Sequence, residues 1–151
     1  MALSIGKVIG IFLFQSDIMY TEKEITEMGY QPAPENYFTG QALLKTYVNP
    51  DEKTNAYIGE VLFKPKTRTK WHTHASNQIL LVREGGCYYQ EEGKPVQKIK
   101  AGDFVNIMPE VKHWHGASPD GIMIHTAIGL NAEKGLVNWM EPVSDEAYNG
   151  K

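Results

Sequence analysis

Short runs of apolar and β-branched residues, separated by turn residues, fill the middle of the chain. The runs cover residues 37–48, 55–63, 70–74, 78–82, 87–90, 96–99, 104–108 and 121–130. Many short strands at this spacing, with Gly, Pro, Asn or Asp at the breaks, are typical of an all-β sandwich or barrel. The runs 78–82 and 87–90, separated by Glu84, Gly85 and Gly86, are predicted to pair as a hairpin.

Two segments outside these runs are predicted to be short helices. The segment 21–28 begins with Thr21 and has Glu24 three residues later, which is a capping-box pattern, and 144–148 begins with Ser-Asp-Glu. We therefore expect residues 1–36 to form an N-terminal extension, partly flexible or built from an added strand or helix. Residues 37–151 are expected to form one barrel domain with a C-terminal segment. The apolar run Val8–Phe14 is too short to span a bilayer and is interpreted as an extra strand or as an extension read from an upstream start codon, with an export signal as the less favoured alternative.

Net charge and cysteine content narrow the classes of function and the compartment that fit this chain. The chain has 151 residues and a net charge of −3, which does not favour a nucleic-acid binder. Its one basic cluster, Lys64–Lys70, is interpreted as a solvated strand edge. The single cysteine, Cys87, cannot form an intrachain disulfide, so a reducing compartment such as the cytoplasm is expected.

The five histidines are arranged in a way that suggests a metal site. His72 and His74 form one His-x-His pair, His113 and His115 form another, and His125 stands alone. Residues two apart on a strand point to the same face, so His72 and His74 can bind one ion. A closed barrel would bring His113 across to them. The alternative is a cluster of histidines that caps the barrel mouth without a metal.

Two segments resemble the sequence motifs of the cupin superfamily. Residues 69–78 (TKWHTHASNQ) resemble the first motif, which has His-x-His and then an acid, and residues 102–113 (GDFVNIMPEVKH) resemble the second, with glycine, proline and histidine. The resemblance implies an all-β cupin jelly roll, a double-stranded β-helix barrel, with short N- and C-terminal extensions. One departure is that Gln78 stands where the general motif has glutamate.

That departure narrows the resemblance to a subgroup. Gln78, the stretch 112–116 (KHWHG), His125 and the ending 137–146 resemble small bacterial single-domain cupins that include manganese-dependent hydroxynitrile lyases. The resemblance implies that the metal ligands are His72, His74, Gln78 and His113. It implies His115 and His125 as the catalytic residues. It implies that Gly59, Val61 and Gly129 line the substrate pocket. Gly59 and Gly129 replace larger residues of the lyases, so a wider or less polar pocket floor is expected.

The expected cofactor is one divalent transition metal. The resemblance favours manganese, whereas the nitrogen and oxygen ligands also suit iron, nickel, zinc or cobalt. The expected function is a lyase that acts on a small hydroxy or carbonyl compound, in which the metal binds the substrate oxygen and a histidine moves a proton. The alternatives are an iron-dependent dioxygenase and a non-catalytic binding or sensor module. The resemblance also implies a homodimer or homotetramer, and neither a nucleic acid nor a membrane is an expected partner.

Overall fold

The computed structural model describes residues 20–150, so the run Val8–Phe14 lies outside the described residues. These residues form thirteen strands and two α-helices. The strands are β1 (Gln31–Pro32), β2 (Phe38–Thr39), β3 (Ala42–Val48), β4 (Ala56–Phe63), β5 (Arg68–Thr69), β6 (His72–Thr73), β7 (Gln78–Glu84), β8 (Gly86–Glu91), β9 (Gln97–Lys100), β10 (Phe104–Ile107), β11 (His113–Ala117), β12 (Met123–Leu130) and β13 (Asn138–Trp139). The helices are α1 (Glu22–Glu27) and α2 (Asp145–Tyr148), and 3₁₀ turns lie at Glu35–Tyr37 and Ala132–Lys134. No helix within residues 20–150 is long and apolar enough to cross a membrane.

The strands form two antiparallel sheets that close into a barrel. The first sheet has the order β1-β3-β4-β12-β7-β10. The second has the order β13-β6-β11-β5-β2, with β8 paired to β11 and β9 paired to β8. Phe63, Val82 and Met123 of the first sheet meet Cys87 and Ala117 of the second in one buried cluster. This shared interior confirms the predicted all-β jelly-roll barrel.

The predicted hairpin between residues 78–82 and 87–90 is wrong. β7 pairs with β12 and β10, whereas β8 pairs with β11 and β9, so the two strands belong to different sheets. The chain crosses between the sheets at Gly85, which has φ +72°. A Cβ atom there would overlap the carbonyl oxygen of Ile122. Gly85 therefore allows the backbone of the turn to pass close to that of Ile122. The chain continues into the second sheet and does not return along the first.

The described part of the N-terminal extension packs on the outside of the first sheet. Thr21 caps α1 with the predicted capping box, in which its side chain and that of Glu24 bond reciprocally to backbone N–H groups. Ile25 of α1 and Tyr30 pack against the outward side chains of β3, β4 and β12. β1 extends the sheet by pairing with β3. Residues 20–36 thus contain both a helix and an added strand, and the domain boundary at residue 37 stays a prediction.

The C-terminal segment covers the outer face of the second sheet. Trp114 of β11 points away from the histidines, as alternation requires, and is buried against Val143 and Tyr148. Arg68 lies in the basic cluster that was interpreted as a solvated edge, but it is only 5% exposed. Its guanidinium donates to the Val143 carbonyl at 2.9 Å and pairs with Asp145 at 2.7 Å. At this position the interpretation is wrong, because the charge binds the C-terminal segment to the barrel.

Gly85→Ala is expected to destabilise the fold more than Gly93→Ala does. Both glycines have positive φ, +72° and +78°, so alanine costs about 1–2 kcal/mol of backbone strain at either position. Only Gly85 also faces the Ile122 carbonyl, because Gly93 has open space around it. Overpacking should add about 1–3 kcal/mol at Gly85. Urea unfolding of both variants measures the difference, and equal losses of unfolding free energy would contradict the crossing described here.

Candidate metal centre

Three of the predicted ligands converge on one point inside the barrel. His72 in β6 lies directly opposite His113 in β11, and their ring centroids are 4.2 Å apart. His74 follows β6, and its ring centroid lies 5.1 Å from that of His72. One ring nitrogen from each of the three histidines lies within 4.8 Å of the others. The structure therefore brings together side chains from both cupin motifs, as the sequence predicted.

Backbone carbonyls fix the orientation and the tautomer of all three rings. Each Nδ1 contacts a carbonyl oxygen, which can only accept a hydrogen bond, so each Nδ1 carries the hydrogen and each Nε2 keeps a free lone pair. The contacts are His72 Nδ1 with Lys70 O at 2.8 Å, His113 Nδ1 with Val111 O at 2.8 Å, and His74 Nδ1 with Leu136 O. The buried Nε2 atoms of His74 and His113 have no hydrogen-bond partner among residues 20–150. Unprotonated, unpaired Nε2 atoms directed at one point are what a metal ion requires.

Gln78 supplies an oxygen with the same property. It begins β7 and lies opposite Gly129 of β12, and its Oε1 is buried without a hydrogen-bond partner among the described residues. A buried amide oxygen without a partner costs free energy unless a ligand satisfies it. Three imidazole nitrogens and an amide oxygen form a donor set that suits a divalent transition metal. The residues present fit such an ion, and Gln78 as the fourth ligand stays a prediction.

Burial keeps these histidines in the neutral, ligating form. It lowers the pKa of His72 well below the ordinary value, and the neighbouring His113 and His74 lower it further. Burial also lowers the pKa of His113 to about 4, and it lowers the pKa of His74. At neutral pH no proton competes with a metal for the three Nε2 atoms.

The two predicted catalytic histidines lie deeper, next to this cluster. His115 is 4% exposed and His125 is fully buried, and His125 Nε2 lies 3.1 Å from His115 Nδ1. The other nitrogen of each ring, His115 Nε2 and His125 Nδ1, has no hydrogen-bond partner among the described residues. The His115 ring lies 5.3 Å from that of His72. Burial lowers the pKa of both side chains, that of His125 to about 4.

The predicted pocket residues face the same interior. Val61 lies opposite His125, and Gly129 lies opposite Gln78. A Cβ built on Gly129 would fit in ordinary van der Waals contact with Leu136 and Tyr57, both at 3.8 Å. A Cβ on Gly59, in contrast, would overlap the hydroxyl of Tyr57. The expectation of a wider or less polar pocket floor is therefore wrong at Gly59, where a phenol fills the space.

Sequence reasoning missed two residues that border the site. Trp139 of β13 pairs with β6 opposite His72, and its ring lies 4.8 Å from that of His72 and stacks on Tyr37 at 4.6 Å. Leu136 contributes the carbonyl that orients His74. No spacing pattern links these residues to the cupin motifs. They reach the site because the C-terminal segment returns along β6.

Comparison with known proteins identifies relatives of this chain and of its fold. The family model described as Cupin domain matches residues 59–127. The (R)-mandelonitrile lyase of Granulicella tundricola is 38% identical over 128 residues, which cover 83% of this chain and 98% of that enzyme. A cupin-like protein of Thermotoga maritima is 40% identical, with a TM-score of 0.75, over 79% of this chain and 90% of that one. An acetylacetone dioxygenase of Acinetobacter johnsonii shares the fold, with a TM-score of 0.61 and 16% identity over 100% of this chain and 88% of that one.

The metal-free protein is expected to lose stability as the pH falls from about 6.5 to about 4. His113 and His125 have pKa values of about 4 in the fold, against an ordinary value of 6.5. In that window the unfolded chain binds more protons than the folded one, so acid favours unfolding by up to about 1.4 kcal/mol per pH unit for each such histidine. Urea unfolding between pH 7 and pH 5 measures the slope.

The His125→Leu variant is the control for this effect. It removes one buried titrating group, so its stability should fall less steeply with acid than that of the parent protein. A parent stability that does not change between pH 7 and pH 5 would contradict the buried neutral state of these side chains.

Proposed function

This chain belongs to the cupin family, and we propose that it is a metal-dependent lyase that cleaves a small hydroxy compound into a carbonyl compound and a small leaving group. The relative named (R)-mandelonitrile lyase supports cyanohydrins as the substrate class. We infer that His72, His74, Gln78 and His113 hold the metal. His115 and His125 move the proton, and Gly59, Val61 and Gly129 line the substrate pocket.

One observation carries the proposal: a pair of hydrogen-bonded neutral histidines lies against the three-histidine cluster and keeps two nitrogens unpaired. His115 Nε2 and His125 Nδ1 are buried and have no partner among the described residues. A purely structural pair would leave two polar atoms unsatisfied at a cost of about 1–3 kcal/mol each. A substrate that exchanges a proton with one of them removes part of this cost.

In the proposed mechanism, a divalent metal at this site would act as a Lewis acid that makes a substrate hydroxyl more acidic. His115, the nearer of the pair to His72, takes the hydroxyl proton. His125 contacts Nδ1 of His115 and so orients its ring. As the carbonyl double bond forms, the bond between the two carbons breaks, and its electrons leave with the cyanide. The proton passes from the histidine to cyanide, which restores the neutral pair.

Low pKa values keep both histidines unprotonated at neutral pH, which is the state that a proton acceptor requires. Because burial lowers the pKa of both side chains, both are neutral at neutral pH, and the outer nitrogen of the ring that donates the shared hydrogen bond keeps a lone pair that can accept a proton. Phe63 closes the pocket around them, with its ring 5.2 Å from that of His125 and 5.9 Å from that of His115. An apolar wall of this kind keeps water from competing for the same nitrogens.

We further propose manganese as the metal, a homodimer or homotetramer as the assembly, and the cytoplasm as the compartment. Manganese and the assembly rest on the resemblance to hydroxynitrile lyases. The compartment rests on the single cysteine, Cys87, which is buried and unpaired. Light scattering tests the assembly, and a monomer would reject it.

The manganese-loaded protein is expected to release benzaldehyde and cyanide from mandelonitrile without oxygen. Removal of the proton acceptor in His115→Asn should lower kcat by about 10²–10⁴-fold, the usual contribution of a general base. Elemental analysis of this variant is the control, because its metal content should equal that of the parent.

Anaerobic assays separate this function from its alternatives. No cyanide release by the loaded parent would contradict the lyase. Oxygen consumption that depends on ferrous iron would indicate a dioxygenase instead of a lyase. Ligand binding by the loaded parent without any turnover, unchanged in His115→Asn, would indicate a binding or sensor module.

A further inference from the structure

The backbone of Tyr57 lies in the same row of the barrel wall as that of the candidate ligand Gln78, where a row is a set of residues that lie opposite one another on neighbouring strands. In β4 it lies opposite Gly129 of β12, and Gly129 lies opposite Gln78 of β7. Directly opposed residues of antiparallel strands point to the same face, so all three face the interior. Because Gly129 has no side chain, nothing from this strand separates Tyr57 from Gln78 across a gap of about 10 Å, the width of two strand spacings.

The phenol of Tyr57 turns inward along its own strand. It covers Gly59, where a Cβ would come within 2.8 Å of the ring carbon Cζ. Gly59 lies opposite Ala127, one row deeper than Gln78 and one row short of Val61 and His125. The hydroxyl therefore lies at a depth between the candidate metal ligand and the proton-moving histidines.

The hydroxyl of Tyr57 has no hydrogen-bond partner within residues 20–150. Tyr57 is half-buried, and none of the side-chain hydrogen bonds among residues 20–150 involves its oxygen. Tyr89, another tyrosine that faces the barrel interior, donates to Glu91 at 3.0 Å. A phenol aimed into the pocket with an unused donor can bind an oxygen of a ligand.

We propose that Tyr57 is a substrate-binding residue whose hydroxyl donates a hydrogen bond to the oxygen of the bound hydroxy or carbonyl compound. This inference rests on the proposed function, and it names a specificity determinant for the same pocket. Gly59 contributes by leaving room for the ring, since any side chain there would displace the phenol. The pocket then selects compact substrates that carry an oxygen acceptor and rejects those with bulk along β4.

Binding of benzaldehyde to the metal-loaded protein tests the proposal without requiring turnover. Tyr57→Phe keeps the ring and removes only the hydroxyl, and it should raise the dissociation constant of benzaldehyde by about 2- to 13-fold, the contribution of one neutral hydrogen bond. Gly59→Ala should weaken binding as well, because it displaces the phenol. Tyr88→Phe is the matched control, since Tyr88 lies on the outer face of β8 against Tyr148 and should leave binding unchanged.

The outcomes separate this inference from the proposed function. An unchanged dissociation constant in Tyr57→Phe, or no benzaldehyde binding by the parent up to the solubility limit of the ligand, would overturn the role of Tyr57. Benzaldehyde binding that weakens only in Tyr57→Phe and Gly59→Ala supports it, whether or not mandelonitrile is cleaved. A parent that binds benzaldehyde but does not cleave mandelonitrile refutes the lyase and leaves the Tyr57 contact established. If Gly59→Ala does not fold, Tyr57→Phe decides alone.

Discussion

The site depends on three hydrogen bonds between ring Nδ1 atoms and backbone carbonyls. They hold His72, His74 and His113 with their Nε2 atoms toward one point. Two of the carbonyls, those of Lys70 and Val111, lie two residues before the histidine that they orient. The third belongs to Leu136 in the C-terminal segment, so the site is complete only when that segment returns along β6. The orientation of the three rings therefore depends on closure of the barrel, because the backbone that encloses the site also supplies the carbonyls.

Enclosing five histidines in one interior, four of them buried and His74 half-buried, has a cost that a ligand can offset. Each histidine must be neutral in the fold, and several of their nitrogens, together with the Gln78 oxygen, have no partner among the described residues. A chain selected for stability alone would fill this volume with apolar side chains, as it does around Phe63 and Met123 deeper in the barrel. The unpaired polar atoms are concentrated at one place, which is the expected pattern for a site that exchanges metal, substrate and protons.

The sequence predicts the chemistry of the site better than the path of the chain. Strand periodicity and the two motifs were enough to bring His72 and His113 together. His74 was predicted as a ligand because it would share a strand face with His72. That reason was only partly correct, because β6 ends at Thr73 and the Leu136 carbonyl orients the ring. Turn residues at 84–86 predicted a hairpin, but glycine in a turn does not reveal which sheet the next strand joins. Tyr57 could not be found from spacing, since its role depends on the direction of its side chain across a glycine two residues away.

Elemental analysis of the purified protein, beside the His72→Ala/His113→Ala double variant, tests the convergence of the three rings on a metal most directly. The account predicts about one equivalent of a divalent transition metal per chain in the parent, because one cluster of Nε2 atoms holds one ion. It predicts loss of that metal in the double variant, which keeps the barrel but removes two of the donors. A parent that stays free of metal after reconstitution, or a double variant that retains the full equivalent, would contradict it.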